Sequence, residues 1–599
     1  MANDIHVVDF DCKHNLPHRV VMMYSKKYIN SIIRRASLNV IDAQKDVGYF
    51  DSDIYLNAVP VVMSLIGRRH MNILDKDRES RLVKWLIKNQ NEDGSWGLVH
   101  GFASPLASLT HQAVHALELC DDVPIDIIEN ARNWYRESGS TDRGRTSRII
   151  LGLIGKDDWN DFQWPSIYFL FIPGFLNKFP VWMRDVIVSG MIIKTIRGGG
   201  ISSNLLNPIR NLALSKAEKY LLNHQQRNGS WYGTFQPTIF SMMALTELGY
   251  RSCDEPLRRA VYFLDSLETK DGYVSRFKLT VWNTVLALMA LSIIDDYEDV
   301  HRNCVKGAVE FLLQSQLSSG AFAFNHDVTL YPDVDTTAMA AFVLKTLLDE
   351  RCDELGLNGQ MTEIEDGINK ALRWVFDMQN SNGGWATFSK NQCKKLFKTL
   401  PSYLSNPKIL TVDPVTPDVT SHVLLALGAN GYSSENRIIS KAVGTLRRQQ
   451  MPDGSWYGRW GLCYIYGTSS VLEGLHAIGE DMNQDWIKIS VRWLLENQNE
   501  DGGWGEGVMS YFNGEYIKET STIEHTSWAL IGLCTSSSPD MKAIKRGCEY
   551  IIKNWSTGSG WQSYPAVAAF DVYENNLYSK VYPIIALYKY NILNHDYDR

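Results

Sequence analysis

The sequence predicts an all-α protein built of helical hairpins, and three observations carry that reading. A short motif, Q-x-x-x-G-[SG]-W, recurs along the 599 residues. Stretches with apolar residues at three- and four-residue spacing flank its copies. No segment shows sustained period-two alternation. Stacked hairpins bury faces that single units cannot, which leaves an open solenoid or closed α-barrels.

In chain order the motif reads QNEDGSW at Gln90–Trp96, QQRNGSW at Gln225–Trp231 and QNSNGGW at Gln379–Trp385. It continues as QMPDGSW at Gln450–Trp456 and QNEDGGW at Gln498–Trp504. Looser copies stand at Gln44–Phe50, Gln316–Phe322 and Asn554–Trp561. Helical stretches such as RLVKWLIKNQ and SVRWLLENQ lead into the motif, and Asn or Asp followed by Gly ends the helix. Apolar stretches such as SHVLLALG and TSWALIGL then supply the second helix. The Gln suits backbone groups left free at a helix end, and the Trp ring packs on the next unit. These residues therefore read as structural, with Trp456 and its neighbours the exception.

Composition narrows the class. Net charge is −7, pI is near 6.1 and no long basic block is present, which argues against a nucleic-acid partner. Nine cysteines without a CxxC pair point to reduced thiols and a cytoplasmic location, with no zinc site. HExxH, P-loop and strand-linked GxGxxG motifs are missing, as are the features of a signal peptide. No apolar run reaches the ~20 residues of a membrane span. Residues Trp164–Ile196 come nearest, but Pro173, Lys178, Pro180, Arg184 and Asp185 interrupt them. That pattern suits a segment lying in a membrane interface or a pair of buried helices.

The stretch YPDVDTTAMAAF (Tyr331–Phe342) sets Asp333 and Asp335 two residues apart at the lip of an apolar segment. Downstream lie VDPVTPDVTSHVL (Val412–Leu424) and GSWYGRWGLCYIYGT (Gly454–Thr468), and upstream VWNT (Val281–Thr284). On these motifs and the repeats, the chain resembles class II terpene cyclases, most closely the squalene–hopene cyclase branch. The resemblance runs from about residue 30 to near the C-terminus.

It implies two α-barrels, with residues 1–44 joining a catalytic barrel at 279–599 and a second barrel, 45–278, inserted between them. It further implies a membrane-facing surface at 164–196, peripheral on the inner face, and it allows a homodimer. The substrate would be a linear isoprenoid, protonated at a terminal alkene and cyclised through carbocations.

An alkene is a very weak base, so its acid must be strong yet still protonated. Two nearby carboxylates resist double ionisation and keep one proton between them. By resemblance Asp335 is the donor and Asp333 its supporting carboxylate. His422 would hydrogen-bond Asp335, and Asp418, one helical turn earlier, would hold His422. Taken alone, DVTSH reads as a capped helix start with a surface His. Tyr466 would belong to a water-linked relay returning the proton, although alone it reads as a packed tyrosine. Trp182, Trp282, Phe324, Trp460 and Tyr578 fall where the family places cavity aromatics, whose faces stabilise cations without attacking them. No cofactor is needed for protonation.

Two departures bear on the substrate. Thr336 stands where squalene cyclases usually carry a third acid, and a D-x-D-T-T variant resembles some cyclases of prenyl diphosphates. Asn283 replaces the acid of VWDT. In Ala568–Pro583 the polar Asp571, Glu574, Asn575 and Asn576 stand where later ring cations would want aromatic cover. The expectation is therefore a sesqui- or diterpenoid substrate, such as farnesyl or geranylgeranyl diphosphate, with a squalene–hopene-type triterpene or sesquarterpene reaction as the alternative. A diphosphate would call for cations, from Arg184, Arg197 or Lys580, or for Mg2+.

Three other classes compete less well. A non-catalytic repeat scaffold leaves the acid pair unexplained. A protein prenyltransferase β-subunit needs an ordered Asp, Cys and His zinc set, and none is apparent. A class I synthase needs DDxxD, whereas DDYED at Asp295–Asp299 reads as a loop.

Overall fold

The computed structural model describes residues 5–7, 22–52, 54–55, 57–99, 102–140, 145–159, 161, 163–198, 207–294, 297–391, 413–556, 560–565, 567–568 and 572–597. Helices dominate and fall into two kinds that the sequence pattern explains. Met361–Asp377 buries Ile364, Gly367, Ile368, Ala371, Leu372 and Val375, a single stripe at helical spacing. Thr280–Leu291 is buried on almost every side. One-striped helices form an outer ring, and helices apolar all round form an inner ring.

In the larger barrel the inner ring runs Thr280–Leu291, Val334–Leu355, Pro417–Ala429, Tyr464–Ala477, Ile523–Leu533 and Tyr578–Tyr597. Each packs on the next and the last returns to the first, so the solenoid closes. Outer partners are Asp299–Ser315, Met361–Asp377, Arg437–Gln449, Asp485–Glu496 and Met541–Lys553, completed by Lys26–Ile41 against the last inner helix. The smaller barrel closes through Val59–His70, Ala107–Leu117, Arg145–Leu153, Val181–Arg197 and Phe235–Glu247. One apolar core runs from Ala58 to Val274, and the other joins Ile29–Ile54 to residues beyond Phe277. A small third cluster joins Trp182 and Tyr232 to Ala323, Val328 and Tyr331 across the two barrels.

The recurring motif is the joint between hairpins. In each of its Gln copies the side-chain amide donates to its own turn and to an outer helix. Gln225 Nε2, for example, reaches the carbonyls of Gly229 at 2.9 Å and Pro256 at 2.8 Å. Gln498 does the same with Gly502 at 2.8 Å and Ala543 at 2.9 Å. Each Trp indole donates to the carbonyl ten residues before it, as Trp231 does to Leu221 at 2.8 Å. The turn glycine is forced: Gly229 has φ +89, and a Cβ there would meet the Arg259 backbone at 2.3 Å.

Short strands also occur, notably Trp504–Glu506 paired with Lys518–Thr522, and Val572–Asn575 paired with both Ile54–Tyr55 and Val567–Ala568. They are too brief for alternation to register.

The segment 164–196 divides. Val181–Arg197 is largely core, with Asp185–Ile193 buried. The large apolar side chains exposed in this segment are Phe169, Phe171 and Ile172, on the single-turn helix Ile167–Phe171 and just after it. Among the described residues no helix is long and apolar enough to cross a membrane.

Candidate active site

The acid pair sits at the start of an inner helix. Asp333 is the N-cap of Val334–Leu355, its Oδ1 accepting from the Thr336 amide at 2.7 Å. Its Oδ2 is buried with no hydrogen-bond partner. Burial pushes the Asp333 carboxyl up to about 8; the charge of Asp335 adds to this and the Thr336 amide opposes it. Asp335 lies in the first helical turn. Its Oδ1 is 2.6 Å from His422 Nδ1. Burial works against the imidazolium, but the charge and hydrogen bond of Asp335 outweigh it and raise the His422 pKa.

Thr336 and Thr337 divide their work. Thr337 accepts from the Phe322 amide at 2.9 Å and donates to the Asp333 carbonyl at 2.6 Å, tying the helix to the preceding turn. Thr336 faces the cavity.

Asp418 spends its carboxylate on loop backbone. Its Oδ2 accepts the backbone amides of Arg459 at 2.7 Å and Trp460 at 2.8 Å. Its charge reaches His422 through space. Asp413 acts likewise on a second loop, accepting the amides of Thr387 at 3.3 Å and Phe388 at 2.7 Å. Two buried carboxylates thus fix the two loops that wall the cavity. Tyr466 stands edge-on to the His422 ring at 6.1 Å and against Trp528 at 4.9 Å, behind the histidine.

The acids open onto a cavity lined by Trp282, Phe324, Trp460 and Tyr578 from the sequence expectations. Tyr232, Phe277, Phe388 and Tyr573 complete its aromatic wall and were not anticipated. A signal was available for two of them: Tyr232 directly follows the motif Trp231, and Phe388 trails Trp385 by three positions. Trp182 lies one ring behind the lining, edge-on to Phe388 at 5.7 Å. Trp282 donates to the Tyr578 hydroxyl at 2.9 Å, and Trp460 to Thr387 Oγ1 at 2.7 Å, so both rings are held in place.

The chain matches the family model "Squalene-hopene cyclase C-terminal domain" over residues 279–592, and the N-terminal domain model of the same family over 33–198 and 200–273. It belongs to the squalene-hopene cyclase family. The squalene–hopene cyclase of Alicyclobacillus acidocaldarius is 29% identical over 635 aligned positions, covering 93% of this chain and 96% of the relative. The dammaradiene synthase of Dryopteris crassirhizoma is 26% identical, covering 89% of each chain. Among solved structures, ent-copalyl diphosphate synthase from Streptomyces platensis shares the fold, with a TM-score of 0.56 at 15% identity, covering 94% of this chain and 99% of that one.

This is a class II terpene cyclase, an enzyme that starts its reaction by protonation. The features behind the shorter-substrate expectation look different in this cyclase's structure. Asn575 is buried and donates to Asn283 Oδ1 at 3.0 Å, so the two meet away from the cavity lining. Glu574 does not line the cavity, whereas Tyr573 and Tyr578 do. Asp571 lies outside the described residues. The cations proposed for a diphosphate are also elsewhere: Arg197 pairs with Glu247 at 2.6 Å, Arg184 donates to the Phe179 carbonyl at 3.0 Å, and Lys580 is not in the lining. Among the described residues no group of three His, Cys, Asp or Glu side chains could hold a metal ion.

A proton shared by the pair gives a pH signature. The active form is protonated, so single-turnover rates should hold below about pH 8 and fall about tenfold per unit above it. A rate still flat near pH 10 would remove the shared-proton reading.

Proposed function

We propose that this cyclase converts squalene, or a linear isoprenoid of similar length without a diphosphate, into polycyclic products. One observation carries the reading: the cavity below the acid pair is walled by aromatic rings, with no Lys or Arg in its described lining. An uncharged polyene suits that wall, whereas a diphosphate would be left without a counter-charge. The names of two relatives, squalene–hopene cyclase and dammaradiene synthase, point the same way.

In this reading Asp335 delivers the proton, and Asp333 keeps the pair singly protonated. His422 and the helix N-terminus stabilise the carboxylate left behind. Trp282, Phe324, Trp460 and Tyr578, with Tyr232, Phe388 and Tyr573, fold the chain and stabilise successive cations. Trp182 backs that wall, Thr336 donates to the acid pair, and Tyr466 supports the His422 ring. The partition into 1–44, 45–278 and 279–599 belongs to the same reading. So does docking on a lipid surface through Phe169, Phe171 and Ile172, beside the exposed Ile209 and Leu212.

The test is incubation of pure enzyme with squalene, farnesyl diphosphate and geranylgeranyl diphosphate, read by mass spectrometry. Cyclised isomers or hydrates should form from squalene alone. Products from either diphosphate with squalene untouched would overturn the reading, the outcome that the D-x-D-T-T variant favours.

A further inference from the structure

A cyclase that gives a proton away must regain it before the next turnover. A set of buried polar groups leads from the acid pair into the smaller barrel. Asp333 Oδ2, Tyr232 Oη, Tyr331 Oη, both carboxylate oxygens of Asp185 and Tyr220 Oη are all buried without a hydrogen-bond partner. Buried groups of this kind are seldom left unpaired, and the charges of both Asp333 and Asp185 reach Tyr232. The Tyr232 and Tyr331 rings are 4.8 Å apart, and Tyr331 stands two residues before Asp333. The hydroxyls of Tyr331 and Tyr220 flank Asp185, and Arg184 is the cation beside it. Tyr220 stacks on the half-buried His224 at 3.9 Å, toward the outside of the barrel. Tyr232 is held at φ +57, a backbone conformation that a tyrosine rarely adopts.

We infer that Asp185, through Tyr331 and Tyr232, is the route by which the catalytic acid pair regains its proton. Protons move along hydroxyls and the buried waters such groups bind, each oxygen accepting one proton as it releases another. Asp185 gives up its proton toward Asp333 and takes one from solvent past Tyr220. The cyclised cation loses a proton, or adds water and loses one, so the cycle balances. Burial pushes the Asp185 carboxyl up to about 7, against the pull of Arg184, so near neutral pH it both holds and releases a proton.

The inference rests on the assignment of Asp333 and Asp335 as the acid pair and of squalene as substrate. Its test compares wild type, Asp185→Asn and Tyr331→Phe as full-length enzymes with squalene, in single-turnover and steady-state assays. Both variants should form the first equivalent of product at the wild-type rate. Their steady-state turnover should then fall at least about tenfold, leaving a burst of one product per enzyme. Steady-state rates equal to wild type would overturn the relay and leave the cyclase reading intact. First-turnover and steady-state rates falling together would also overturn it, since that marks a role in shaping the site. Wild type inert toward squalene would overturn the substrate reading and, with it, the relay.

Discussion

Asp335→Asn should lower product formation from squalene by on the order of ten-thousand-fold while the protein stays folded. The amide has the shape of the acid and can still meet His422 Nδ1, so the 2.6 Å contact need not be lost. It has no proton that an alkene can take. Asp333 cannot substitute freely, because its Oδ1 is committed to the Thr336 amide as the helix cap. Two measurements check the expectation: product by mass spectrometry after prolonged incubation, and a thermal melt to show an unchanged fold. Cyclised product at even a tenth of the wild-type rate would mean the proton comes from another group.

How much of this could be read from the chain depended on whether a contact is local. The motif Trp bonds a carbonyl ten residues back, and the motif Gln bonds a carbonyl four residues on. Fixed local spacing makes a visible repeat, so the hairpins and their stacking were legible. The third member of each joint was not. A threonine hydroxyl accepts the Trp amide in every full copy, but from 14, 7, 35, 12 or 22 residues downstream, at Thr110, Thr238, Thr420, Thr468 and Thr526. No pattern search at constant spacing finds such a residue.

The acid pair and His422 were legible because each lies in a compact motif. The aromatic wall was only partly legible, since Tyr232, Phe277 and Phe388 from separate turns and loops and Tyr573 from a short strand meet only in the folded chain. Asn575 takes on a different meaning in the fold for a related reason. Asn575 looks like a gap in aromatic cover, but its partner Asn283 is 292 residues away, and the change from acid to amide in VWNT supplied it. Two departures that each pointed to altered chemistry are one buried hydrogen bond.

Asp418→Ala should be among the most damaging changes outside the acid pair, and its damage should appear first in stability. The side chain receives the Arg459 and Trp460 amides at 2.7 and 2.8 Å, and the Val419 amide at 3.0 Å. Alanine would strip the acceptor from at least two amides at a buried or part-buried turn. At about 1–3 kcal/mol for each orphaned donor, the loss is roughly 2–6 kcal/mol. Trp460 would lose this backbone anchor while its indole bond to Thr387 at 2.7 Å remains, so one wall of the cavity would loosen. His422 would also lose a nearby negative charge that favours its protonated form. Asp418→Asn separates these effects, because one amide oxygen can still accept from Arg459 and Trp460 while the charge is gone. The Asn variant should melt much closer to wild type than the Ala variant, yet turn over more slowly than wild type. Calorimetric melts with parallel squalene assays decide it. An Ala variant that melts and turns over like wild type would show that the loop after Trp456 holds its shape without the carboxylate.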